Sequence, residues 1–188
     1  MEKLTGKISE TGSVEFNWED DKHTGQGIYI DLGGGNYIGQ FMDGRLQGEG
    51  VFTWPDGSRY EGEWEDGLPN GWGIMTLPNG NSFEGDWENG GIGQQGTLMS
   101  PDGSRYTGQW NDGCKNGRGI LTYPDGKKYD GEWKDSMFHG KGVLLFPDGS
   151  KYDGEWKDDR FHGRGVLTLT DGTKYDGEWK EHKFVIIR

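Results

Sequence analysis

The sequence predicts an all-β protein: an elongated, single-layer, twisted antiparallel sheet assembled from β-hairpin repeats of 23 residues. Three observations lead there. Tyr37, Tyr60, Phe83, Tyr106, Tyr129, Tyr152 and Tyr175 stand at an unbroken interval of 23, and Phe41, Trp64, Trp87, Trp110, Trp133, Trp156 and Trp179 follow each by four residues. A glycine lies midway in every pair, from Gly39 to Gly177, so large and small side chains alternate with the period of a strand. A Gly-x-Gly pair such as Gly140/Gly142 then opens a second, apolar run, closed by a turn such as Pro55-Asp56-Gly57 or Pro147-Asp148-Gly149, as in a hairpin.

Taken in chain order, residues 1–13 read as a half unit, 14–174 as seven units of 23, and 175–188 as a terminal half unit, with no separate domain or linker. Val14 and Trp18 mark a degenerate first unit. Phe16 takes the place of its strand glycine, and Gln94 replaces the first glycine of the Gly-x-Gly pair in the Phe83 unit, which makes these two units the weakest joints. In a typical first strand Tyr129, Gly131 and Trp133 point to one face, and Lys128, Asp130 and Glu132 to the other. By the same parity the second strand sends Gly117, Gly119, Leu121 and Tyr123 to the aromatic face and Arg118, Ile120 and Thr122 to the charged one. Glycine gives a neighbouring ring a flat surface to lie across, which offsets its usual cost of roughly 0.5–1 kcal/mol in a strand. With strands ~4.8 Å apart, the whole array is expected to run on the order of 70 Å. Ile28, Val51, Ile74, Ile120, Val143 and Val166 form a thin apolar stripe on the charged face, beside expected pairs of Lys128 with Asp130, Lys151 with Asp153 and Lys174 with Asp176.

Composition narrows the function. Among 188 residues 37 are glycine without a Gly-X-Y period, which excludes collagen and helix bundles. A net charge of −12 with few aliphatic residues would ordinarily mean disorder, but nine Trp, eight Tyr and eight Phe carry the buriable surface that order needs. That charge opposes binding to nucleic acid and to anionic lipid alike. The single cysteine, Cys114, can form no internal disulfide and fits a reducing cytoplasm. No apolar run of eighteen residues and no signal-peptide pattern occur, so a soluble protein is expected.

The segments Tyr60-Glu61-Gly62-Glu63-Trp64-Glu65-Asp66-Gly67 with Gly71-Trp72-Gly73, and Tyr129-Asp130-Gly131-Glu132-Trp133-Lys134-Asp135 with His139-Gly140-Lys141-Gly142-Val143-Leu144, resemble MORN repeats (membrane occupation and recognition nexus). The resemblance covers nearly the whole chain. It implies a scaffold or docking module for other proteins, leans to cytoskeletal or ciliary assemblies, and carries a second association with membranes and phosphoinositides.

The reading is therefore a non-enzymatic scaffold that binds a protein segment, helical or extended, along the aromatic face through Tyr106, Trp110, Tyr129, Trp133, Tyr152 and Trp156. The alternative role of each ring is packing between neighbouring units. A lipid-binding reading rests on Lys115, Arg118, Lys127 and Lys128, in the one unit of net positive charge, and a third reading makes the chain the targeting part of a larger enzyme. The apolar run Phe184-Val185-Ile186-Ile187 at the last strand either pairs with a second copy or a partner, or folds back on Trp179. No catalytic or cofactor role is assigned: carboxylates such as Glu61, Glu63, Asp130 and Glu132 repeat on a solvated face without a sheltered pocket. His139 and His162, one unit apart at ~10 Å, stand too far apart to share a metal.

Overall fold

A computed structural model describes residues 4–6, 12–18 and 24–185, with side chains from residue 24 onward. The chain forms two compact units, 1–93 and 94–188. Every element among the described residues is a strand or a turn. In the first unit β1 (Leu4–Gly6), β2 (Gly12–Trp18), β3 (Gly25–Asp31), β4 (Asn36–Met42), β5 (Arg45–Thr53), β6 (Arg59–Glu65), β7 (Leu68–Thr76) and β8 (Ser82–Glu88) pair antiparallel in chain order, from β1 with β2 to β7 with β8. Strand β9 (Gly91–Met99) carries the boundary, which falls at Gly93/Gln94 in the Phe83 period. In the second unit the meander runs from the end of β9 through β10 (Arg105–Asn111), β11 (Cys114–Thr122), β12 (Lys128–Lys134), β13 (Met137–Leu145), β14 (Lys151–Lys157), β15 (Arg160–Thr168), β16 (Lys174–Lys180) and β17 (Lys183–Phe184). The expected fold class is what forms: antiparallel hairpins with a 23-residue repeat.

Two turns alternate. In the Pro-Asp-Gly turn the Trp54 N–H donates to Ser58 O at 2.8 Å, the Gly57 N–H to Trp54 O at 2.9 Å, and the Ser58 N–H to Asp56 Oδ1 at 2.8 Å. The Ser58 amide and hydroxyl hold the Asp56 carboxyl below its ordinary value, as their counterparts do at Asp102 and Asp148. The other turn, seen at Asp66-Gly67 with φ of 50° and 86°, is the left-handed pair that matches strand twist. Further along, Ser136, Asp159 and His182 occupy its second position at φ of 65°, 64° and 65°, where a Cβ is strained.

Each of these three residues gains something in exchange. Ser136 Oγ accepts the Lys115 N–H at 3.1 Å, Asp159 Oδ1 accepts the Phe138 N–H at 2.7 Å, and His182 Nδ1 accepts the Phe161 N–H at 3.3 Å. Their own N–H groups donate back to the carbonyls of Lys115, Phe138 and Phe161 at 2.9, 3.0 and 3.2 Å. Each turn thus satisfies both backbone groups of a residue 21 positions earlier and fastens one period to the one before.

A bulge bends every Gly-x-Gly strand in the regular units. Gly131 faces Gly142, but the next pair is Glu132 with His139, leaving Gly140 and Lys141 without partners on β12 although both pair with β14. Gly140 takes φ 58°, and Glu132 Oε1 accepts the Lys141 N–H at 3.3 Å; Gln109 does the same for Arg118 at 2.6 Å and Glu63 for Trp72 at 2.9 Å. The first glycine of the pair is therefore a bulge residue. At Gly117 an added Cβ would overlap Gln109 Oε1, so this position is no rest for a ring, contrary to the sequence expectation. The second glycine fulfils that expectation: a Cβ on Gly142 would overlap Tyr129 Oη, and one on Gly131 would crowd the Gly142 Cα.

Candidate docking groove

The aromatic side chains form the core. Tyr37, Tyr60, Tyr129 and Tyr152 are 0% exposed, and Trp64, Trp133 and Trp156 are 3–4% exposed. The Tyr129 ring lies over its own glycine pair and sends its hydroxyl to Glu132 O at 2.8 Å. It meets Trp133 of its own unit and Trp156 of the next edge-on, both at 5.3 Å between centroids. The Trp156 Nε1–H then donates to Gly142 O, fourteen residues back, at 3.0 Å, and the same bond recurs from Trp64, Trp87, Trp110, Trp133 and Trp179. Tyr37, Tyr60, Tyr106, Tyr129 and Tyr152 each meet the indole of the next unit, whereas Tyr175, with no such indole over it among the described residues, is 42% exposed, so the next unit's indole is what closes over each tyrosine. Burial pushes the phenols of Tyr60, Tyr106 and Tyr152 up to about 12 and raises those of Tyr37 and Tyr129 as well.

Over these rings lies a row that the sequence analysis did not isolate. Leu46, Pro69, Ile92, Lys115, Phe138, Phe161 and Phe184 recur every 23 residues. Six of them pair with the Trp or Phe of their own hairpin, as Phe138 does with Trp133 and Lys115 with Trp110. Phe138 stacks on Tyr129 at 3.7 Å and 10°, and Phe161 on Tyr152 at 3.7 Å and 5°. The row spans leucine, proline, lysine and phenylalanine, so its period is visible only once the hairpin register is known.

In the second unit this row borders a groove of about 680 Å³. Its floor is Leu121, Leu144, Trp133, Trp156, Phe138 and Phe161, its side walls include the half-buried Tyr123 and Phe146, and its polar groups are Lys115, Lys127, Ser136, Asp159 and His182. Lys115 Nζ sits 5.1 Å from the ring centres of both Tyr106 and Trp133, and Lys127 Nζ 5.2 Å from that of Tyr123. Of the six aromatic residues expected to meet a partner, Trp133 and Trp156 line the groove. Tyr106, Tyr129 and Tyr152 are sealed beneath it, and Trp110 is 7% exposed and lies outside its lining. Within the groove the more accessible aromatic surface is instead Tyr123 and Phe146, just beyond the ends of β11 and β13.

A family model of the MORN repeat matches residues 17–34, 37–59, 60–82, 106–128, 129–151, 152–174 and 175–185. This chain belongs to the MORN-repeat family. The match omits 83–105, the period that holds Gln94 and the boundary between the two compact units. Membership points to a repeat scaffold or a protein- or membrane-binding module. No curated protein matches. Among solved structures, the SAS-4 TCP domain of Drosophila melanogaster in complex with a proline-rich motif of Ana2 is similar at 15% identity, over 70% of this chain and 85% of that one, with a TM-score of 0.41. A catalytically inactive virginiamycin B lyase from Staphylococcus aureus with quinupristin is similar at 11% identity over 95% and 74%, with a TM-score of 0.22. At such scores neither likeness bears on what the MORN chain does.

The four cations of the lipid reading do not come together. Lys115 and Lys127 line the groove, whereas Arg118 and Lys128 lie on the opposite face of the MORN sheet. That face holds a larger hollow, about 870 Å³, lined by Arg118, Lys128, Lys141, Lys151 and Arg164 against Asp130, Asp153 and Glu155. Lys128 pairs with Asp130 at 3.6 Å, Lys151 with Asp153 at 3.3 Å and Arg164 with Glu178 at 4.0 Å, so three of its five cations are already engaged. The groove, smaller but walled by rings, is the better candidate for docking. At the last strand Phe184 continues the Phe138/Phe161 row, packing on Trp179 at 5.2 Å while the Val185 N–H donates to Glu178 O at 2.8 Å. Phe184 thus lies back on Trp179 while Val185 is exposed, and Ile186 and Ile187 lie outside the described residues. His139 Nδ1 stands 3.5 Å from Asp158 Oδ1, and no group of three or more His, Cys, Asp or Glu able to hold a metal occurs among the described residues.

Proposed function

We propose that this MORN chain is a non-enzymatic scaffold that docks a protein segment, helical or extended, along the aromatic side of residues 94–188, in the cytoplasm and as part of a cytoskeletal or ciliary assembly. The observation that carries it is the groove, whose buried aromatic floor and half-buried Tyr123 and Phe146 walls make a concave apolar surface with few polar groups. The test changes its rim without touching the core. Tyr123→Asp with Phe146→Asp should abolish affinity capture of the native partner while the circular dichroism stays unchanged, and Ile120→Asp on the opposite face should leave capture intact. Capture that survives the double change removes the proposal.

The charged hollow supports a second reading, contact with acidic phosphoinositide headgroups. Basic residues near such a surface contribute ~1 kcal/mol each, and five cations against three acids leave little net attraction. Flotation with vesicles containing phosphatidylinositol bisphosphate is therefore expected to recover little protein, and strong recovery would favour the lipid role. A second copy would add at β17, whose pairing partner is β16; a strict monomer in sedimentation counts against that assembly.

A further inference from the structure

Lys115 breaks the row it belongs to. At the equivalent positions Leu46, Pro69, Ile92, Phe138, Phe161 and Phe184 supply apolar surface, and Phe138 and Phe161 stack flat on the tyrosine beneath. Lys115 instead holds an ammonium over the edge of the same core, at 5.1 Å from two rings, in a place that burial makes costly for charge. Desolvation depresses its pKa, and the field of Asp159 acts against that depression. The packing partner that stability alone would select is the phenylalanine found one and two periods later.

The remaining charges of the groove do not neutralise it. Asp159 uses Oδ1 to accept the Phe138 N–H at 2.7 Å, and among the described residues no carboxylate lies within 4.0 Å of Lys115 Nζ. His182 accepts the Phe161 N–H, and burial with Arg160 nearby keeps its imidazole below the usual value and neutral. Two lysines against one carboxylate remain, at an apolar site in a chain whose net charge is −12. The setting favours a negative group delivered together with apolar surface.

Resting on the docking proposal above, we infer that the segment seated in this groove carries an aspartate or glutamate within its apolar stripe, and that this carboxylate docks on Lys115 with Lys127 contributing. Lys115 is then a specificity-determining residue rather than a fold-determining one. A carboxylate held in a water-poor groove by an ammonium makes a charge-assisted hydrogen bond, and it discriminates against an amide by leaving the cation without its partner.

The test selects peptides from a phage-displayed library of random segments on the intact wild-type chain and on Lys115→Met, which keeps length and apolar stem. Wild type is expected to enrich apolar peptides with a central Asp or Glu, and Lys115→Met apolar peptides without it. The strongest wild-type peptide, resynthesised with its acid changed to the amide, should bind wild type about tenfold more weakly and Lys115→Met no differently. Lys115→Phe, which restores the row, should melt no lower than wild type while losing the same preference. Equal binding of acid and amide by wild type, or a preference that survives Lys115→Met, overturns the inference and leaves groove docking standing. Enrichment of basic peptides overturns it in favour of Asp159. If selection yields no groove-directed peptide, judged by binding that survives Tyr123→Asp with Phe146→Asp, both this inference and the docking proposal fall.

Discussion

Tyr129 leaves no room for a methyl group anywhere around it. Its ring covers Gly131 and Gly142, its hydroxyl reaches Glu132 O, and two indoles and Phe138 enclose the rest. Gly142→Ala should therefore destabilise by about 1–3 kcal/mol through overpacking, measured by denaturant unfolding. Gly149→Ala meets nothing within 4 Å and pays for its φ of 87° alone, about 1 kcal/mol. Equal losses at the two sites would remove the ring-over-glycine account. The same burial makes the tyrosines a source of alkaline instability. Their phenols titrate near the ordinary 10 when unfolded and at about 12 when folded at Tyr60, Tyr106 and Tyr152, so the native state keeps protons that the unfolded chain has released. Stability is fully present below pH 10 and falls as pH rises toward 12. Tyrosinate absorbance should appear together with loss of the near-ultraviolet dichroism of tryptophan, and tyrosinate formed with that dichroism intact would contradict it.

At the scale of the hairpin, the turns show where local preference and long-range bonding compete. Ser136 stands at φ 65°, where glycine is easier by about 1–2 kcal/mol, yet its hydroxyl accepts the Lys115 N–H at 3.1 Å, a bond contributing about 1 kcal/mol. Ser136→Gly exchanges one for the other and should change stability by less than about 1 kcal/mol, whereas Ser136→Ala keeps the strain, loses the bond, and should cost about 1 kcal/mol. Thermal melts decide it: an alanine variant as stable as the wild type would deny the Ser136 hydroxyl any linking role. The sequence made these hairpins legible because aromatic-x-Gly-x-aromatic and Asp-Gly are local signals. It did not disclose the bulge at Gly140, whose glycine resembles Gly142 in the sequence but answers to a left-handed φ and the Glu132 side chain. Nor did it disclose that Tyr129 and Tyr152 are sealed in, because coverage comes from Phe138 and Phe161, which stand across a turn and share no single chemistry with Leu46 or Lys115. For the same reason Tyr123, though placed on the aromatic face, was not marked as a partner contact, and Phe146 was not singled out. Alternation identifies a face; which atoms of that face remain accessible depends on the register across the turn.

Charge is divided unevenly along the molecule. Residues 1–93 hold five Lys and Arg against seventeen Asp and Glu, while 94–188 hold fifteen of each, so the net −12 belongs wholly to the first unit. Like charges repel within it, and raising salt from low to about 0.5 M shortens the screening length to a few ångströms. Amide hydrogen exchange should therefore slow more in 1–93 than in 94–188 as salt is raised, and a uniform response would show that self-repulsion does not limit the first unit. The apolar side chains left open there, with Ile38 55% exposed where later periods place Glu61, Asp130 or Asp153, belong to the same acidic unit.

The indole bond from Trp156 to Gly142 and the turn bond from Asp159 to Phe138 both reach back less than one period, by fourteen and twenty-one residues. A gene duplication that copies any 23 codons between 106 and 174 consequently brings its own donors and acceptors in matching numbers, and a deletion of the same span removes them together. The protein is thus free to change its count of rungs over evolutionary time without stranding a single polar atom, a tolerance that a fold with contacts between distant segments does not have.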